Sequence, residues 1–156
     1  MTGIAGVIGL GIMGGAMAGH MATGGFTVYG FDLSADAVER ARANGIETLA
    51  SAAAVAEKAD VIVCSLPSPL ALKAVAEEIA ASSASGCTIM ETSTLKLADK
   101  EAARDILAAA GHTLLDCPLS GTGQQAQTGD LAVFTSGPED AVAKCIPAIE
   151  AFSREN

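Results

Sequence analysis

"IAGVIGLGIMGGAMAGHMAT", residues 4–23, joins an apolar run to a cluster of glycines that carries no formal charge. Residues 4–9 read as a buried strand. A helix follows from about Gly14 to Thr23, and Gly24-Gly25 stops it. Glycine inside either element costs roughly 0.5–1 kcal/mol relative to alanine, so glycines this dense serve backbone geometry. Something has to approach the main chain closely here.

The spacing Gly9-x-Gly11-x-x-Gly14 lies between that strand and that helix. In a dinucleotide site the first glycine makes the tight turn and the second admits a diphosphate to the backbone. The third lets helix and strand pack closely. Free amides at the helix N-terminus then face the anion, aided by the helix dipole. The pattern calls for an acid roughly 20 residues further on, at the end of the second strand. Asp32 stands there. Its carboxylate suits the two hydroxyls of an adenine ribose and repels a 2′-phosphate, and Leu33 and Ser34 supply no arginine to receive one. NAD is therefore favoured over NADP. In the alternative reading Asp32 is only a helix cap and the glycines only a turn.

The rest of the chain continues the alternation. Strands are expected at "FTVYGFD" (26–32), "IETLA", "DVIVCSLP" (60–67), "GCTIMETST", "HTLLDCPLSG" and "GDLAVFTSG". Between them fall helical stretches, the first capped by Ser34 and the last, "PEDAVAKCIPAIEAFS", opening with Pro138. Strands that are apolar throughout and alternate with helices indicate a parallel sheet covered on both faces. The expected fold is α/β: a Rossmann-type, doubly wound, mainly parallel sheet within one dinucleotide-binding domain over 1–156.

Composition agrees. Half of the residues are hydrophobic and only 3% aromatic, a core suited to close helix-on-sheet packing. Eighteen acidic against nine basic residues give a net charge of −9, which argues against a nucleic-acid partner. No apolar run reaches the ~18–20 residues that span a bilayer, and no signal peptide is apparent, so a cytoplasmic location is expected. Cys64, Cys87, Cys117 and Cys145 are widely spaced and read as reduced core thiols. Two histidines and scattered cysteines spell no metal site. Lys58, Lys73, Lys96, Lys100 and Lys144 read as solvated surface charges, and His20 as a packed or surface helix residue.

Four elements in order resemble the β-hydroxyacid dehydrogenases, a family that includes 3-hydroxyisobutyrate dehydrogenases and tartronate semialdehyde reductases and is related to 6-phosphogluconate dehydrogenase. "GLGIMGGAMA" is similar to its GLGxMGxxMA cofactor signature, and "SLP" (65–67) to its LP element. "ETSTL" (91–95) resembles its D-x-S-T segment, and "DCPLSGTGQQAQTGDLAVFTSG" (116–137) its D-A-P-V-S-G-G signature. The resemblance implies that Gly9, Leu10, Gly11, Ile12, Met13 and Gly14 hold the pyrophosphate, with Leu66 and Pro67 on the ribose side. It implies that Ser93 or Thr94 contacts the nicotinamide ribose or amide. Ser120, Gly121 and Thr122 would hold the carboxylate of a small hydroxy acid or semialdehyde.

Two departures stand out. Thr122 replaces the second glycine of S-G-G, and its side chain narrows the approach to the main chain. The family's catalytic lysine lies beyond "AFSREN", as does its helical second domain, so no catalytic residue is expected in this chain. An uncovered last helix then favours self-association. A stand-alone nucleotide-binding module with a sensory or scaffolding role, and the cofactor domain of an imine reductase-like enzyme, stay open as alternatives.

Overall fold

A computed structural model of the protein describes residues 3–155. Its elements alternate as the pattern predicts: β1 (Ile4–Ile8), α1 (Ile12–Thr23), β2 (Thr27–Phe31), α2 (Ala35–Ala43), β3 (Glu47–Thr48), α3 (Ala52–Ala56), β4 (Val61–Cys64), α4 (Pro69–Ala80), β5 (Thr88–Glu91), α5 (Leu97–Ala109) and β6 (Thr113–Asp116). These six strands form one sheet in the order β3-β2-β1-β4-β5-β6, every pairing parallel. Strand order reverses between β1 and β4, which opens a crevice at the carboxyl ends of the strands.

Side-chain alternation divides the core in two. Val61 and Val63 of β4 join Val7, Met17 and Leu115 on the face covered by α1 and α7 (Glu139–Phe152). Ile62 and Cys64 join Ile89, Leu72 and Leu107 on the face covered by α3, α4 and α5. Burial on both faces is why these strands are apolar throughout.

The chain departs from the expected pattern after β6. The sixth strand ends at Asp116 instead of running on to the glycine loop, because Pro118 has no N–H to donate to a ladder. β7 (Leu119–Ser120) starts a second sheet, in the order β7-β8-β9. The expected seventh strand becomes β8 (Leu131–Val133), antiparallel to β7 and outside the main sheet. β9 (Ser153–Glu155), which follows α7 directly, pairs parallel with β8. The stretch expected as a loop holds a short helix, α6 (Gly123–Gln127). Helix α1 begins at Ile12, two residues before the expected start.

All four cysteines are buried and free. Burial pushes Cys117 up to about 12 and Cys145 up to about 11. Lys58, Lys73, Lys96 and Lys144 are exposed. Lys100 is not: it is 6% exposed and ion-paired, so its reading as a solvated charge is corrected.

His112, just before β6, is also buried. Its Nδ1 accepts the Cys87 N–H at 3.2 Å, so the ring hydrogen sits on Nε2, which has no hydrogen-bond partner among the described residues. Burial holds the imidazole below its ordinary value of 6.5, since protonation would set a second donor against the Cys87 N–H. With the folded value depressed, the unfolded chain binds more protons as pH falls, and stability drops with it. We expect melting temperature to be steady above about pH 7 and to fall toward about pH 5. His112→Gln keeps an acceptor for Cys87 and does not titrate. Melting curves across that range should show a shallower decline for the variant.

Candidate functional site

The turn between β1 and α1 divides its three glycines among three duties. Gly9 has φ +91°, and a Cβ there would collide with the Ser65 carbonyl oxygen. Gly14 is buried in α1, where a Cβ would strike the carbonyl oxygen of Gly9 itself. A Cβ on Gly11 would meet nothing within 4 Å. Two glycines therefore close the turn against the sheet, and the one between them leaves its outer side open.

Helix α1 is also left electrostatically bare. Ser34, Ser51, Ser68 and Thr122 cap α2, α3, α4 and α6 through side-chain oxygens. Helices α5 and α7 lack such caps but carry acids in their first turns. Helix α1 has neither a side-chain cap nor a first-turn acid, so its free amides and dipole stay unsatisfied.

Beside it lies a cleft of about 600 Å³. Gly9, Gly11, Ile12, Met13, Asp32, Leu66 and Pro67 line it, seven of the residues singled out from the sequence. Ser65, Leu33 and Glu78 also line it and were not anticipated. Leu10 lies beneath, only 2% exposed. Its N–H donates to Asp32 Oδ2 at 2.6 Å, and the Ser34 N–H donates to Asp32 Oδ1 at 2.7 Å. Asp32 thus ties the glycine turn to β2, while Ser34, accepting the Ala37 N–H at 3.3 Å, is the cap of α2. Each carboxylate oxygen retains acceptor capacity toward the cleft.

The other predicted residues lie outside this lining. Ser93 is buried past the end of β5, and its Oγ accepts the Leu66 N–H at 2.8 Å. Thr94 is exposed next to it. Ser120, Gly121 and Thr122 are exposed at the entry to α6. Thr122 forms a capping box: its N–H donates to Gln125 Oε1 at 2.8 Å and its hydroxyl oxygen accepts the Gln125 N–H at 3.3 Å. Its hydroxyl is thereby committed to capping α6. A Cβ on Gly123 would stand 3.0 Å from Ile12 Cγ2, so this segment lies against the first residue of α1. His20 secures it from the other end, with Nε2 donating to the carbonyls of Ala126 at 2.9 Å and Gln127 at 3.0 Å.

A family model described as the NAD-binding domain of 6-phosphogluconate dehydrogenase matches residues 4–156. A 3-hydroxyisobutyrate dehydrogenase of Pseudomonas aeruginosa is 32% identical over 157 residues, which is 99% of this chain and 52% of that protein. An L-threonate dehydrogenase of Pectobacterium atrosepticum is 31% identical over 94% of this chain and 50% of its own length. The solved structure of a Mycobacterium tuberculosis 3-hydroxyisobutyrate dehydrogenase with L-serine superposes with a TM-score of 0.95 at 25% identity, covering 100% of this chain and 54% of that one. The chain spans about half the length of the curated relatives it matches.

The glycine roles separate under substitution. Gly14→Ala forces backbone apart and should lower the melting temperature by about 4 °C or more. Gly11→Ser adds a good N-cap in open space and should leave the melting temperature unchanged or raised. Calorimetric melting of the two variants checks both.

Proposed function

The chain belongs to the family defined by the NAD-binding domain of 6-phosphogluconate dehydrogenase, and from that membership we propose that it binds NAD in preference to NADP. It is the cofactor half of an enzyme that moves hydride between nicotinamide and a short 3-hydroxy acid or semialdehyde. The observation that carries this reading is the bare N-terminus of α1 opening, beside Gly11 and Asp32, into the cleft of about 600 Å³.

The residues suit the ligand. Free amides at Gly11, Ile12 and Met13 meet the diphosphate, and the open side of Gly11 lets it reach them. The remaining lone pairs of Asp32 take the ribose hydroxyls, and a phosphate in that place meets a carboxylate already fixed by two amides. Leu66 and Pro67 flank the next ribose. When bound, the cofactor supplies or accepts the hydride.

Toward the substrate, Ser120 offers a hydroxyl and Gly121 an amide to a carboxylate, with the Thr122 hydroxyl beside them, and the contact of Gly123 with Ile12 keeps them next to the cofactor turn. Proton transfer falls to a lysine outside these residues, as the resemblance implies. Among the described residues no helix is long and apolar enough to cross a membrane, and the four free thiols fit a reducing cytoplasm. Exposed Phe134 and Ile146 support self-association.

Titration calorimetry tests the cofactor reading. We expect NAD to bind at least about 10-fold more tightly than NADP, a difference of about 1.4 kcal/mol. Gly11→Ser should lose at least about 10-fold in NAD affinity while keeping its fold. Equal or tighter binding of NADP overturns the preference.

A further inference from the structure

Register sets two carboxylates side by side. Glu91 and Asp116 are direct partners across β5 and β6, so both point to the face covered by α5. Helix α5 meets them with Lys100, the first residue of its buried stripe Lys100, Ala103, Leu107. The ammonium lies 2.9 Å from Glu91 Oε2 and 2.6 Å from Asp116 Oδ1. Glu91 is 0% exposed, and a carboxylate that deep is costly without a cation. Burial alone would favour a neutral amine at Lys100, but its hydrogen bonds to Asp116 and Glu91 and their charges outweigh it and hold the ammonium above its ordinary range.

The other oxygen of Glu91 continues the chain of contacts. Oε1 accepts the Ser93 N–H at 3.0 Å, and Ser93 Oγ accepts the Leu66 N–H at 2.8 Å. With that amide donating to its oxygen, the Ser93 hydroxyl turns its hydrogen elsewhere, and among the described residues it donates to nothing. Ser93 follows β5, on the opposite side of β1 from Asp32, which follows β2. A dinucleotide with its diphosphate on the glycine turn and its adenine ribose at Asp32 carries its other half over β4 and β5.

We propose that Lys100, acting through Glu91, is a positioning residue that holds the Ser93 hydroxyl as a hydrogen-bond donor toward the amide of the cofactor's nicotinamide, beyond the second ribose. This rests on the reading that the chain binds NAD. It gives the buried ion cluster a selective effect, on one end of the ligand only.

Binding of NAD and of ADP-ribose, which shares everything through the second ribose and lacks only the nicotinamide, isolates that amide. Ser93→Ala and Lys100→Met should each weaken NAD by about 5-fold, the loss of one hydrogen bond, and leave ADP-ribose within about 2-fold. Together they should cost no more than either alone, because both remove the same contact. Lys100→Met strands a buried carboxylate and risks the fold. Glu91→Leu combined with Lys100→Met replaces the pair by apolar groups of similar size, a change folds tolerate, and should give the same selective loss. An unchanged ratio of NAD to ADP-ribose affinity, or equal weakening of both ligands, overturns the role of Lys100. Binding of neither ligand by the unaltered chain overturns the cofactor reading beneath it.

Discussion

The carbonyl oxygen of Gly9 occupies the space that any side chain at position 14 would need. Much follows from that one steric fact. Because residue 14 has no Cβ, α1 sits directly on the end of β1 and its axis aims at the crevice where strand order reverses. Because Gly9 adopts a left-handed conformation, the chain turns within three residues and the first amides of α1 emerge at the crevice. The anion-seeking end of a helix dipole is thereby held in place by backbone contacts, which flex far less than side chains do.

Charge placement in the structure follows the same economy. Four helix N-termini are satisfied by serine or threonine and two by acids, and the one left bare is the one at the cleft. Asp32 serves the fold through one lone pair on each oxygen, which leaves acceptor capacity on both at the cleft it lines. Lys100 fits this pattern in a different way. A buried cation between two carboxylates is weak evidence of stability, since an apolar core would serve as well. Its geometric consequence, a fixed Glu91 and through it a fixed Ser93, is the more informative reading.

The second sheet completes the frame. Its strands lie far apart in sequence, yet β7, β8 and β9 bring the segment after β6 together with the end of α7. Helix α6 hangs between β7 and β8, packed on α1 by Gly123 against Ile12 at one end and by His20 at the other. The segment that resembles the family's substrate signature is thus attached to the helix that begins at the glycine turn. A shift of α1 would move both together.

By itself the sequence determined the parallel sheet, because strands buried on both faces must be apolar throughout and the crossovers between them must be long. It also determined the glycine turn and the position of Asp32, since only local backbone geometry and strand length enter there. Tertiary structure decided what depends on distant residues meeting. The Cys117–Pro118 break, the antiparallel pairing of β7 with β8 and the addition of β9 rest on contacts that no periodicity encodes. Lys100 shows the limit most clearly. Read from sequence as a solvated charge, it lies on the buried stripe of α5 with Ala103 and Leu107, where it has meaning only once strand register brings Glu91 and Asp116 under it. Helical periodicity places a side chain on a face; only the fold supplies the charge that makes burying it tolerable.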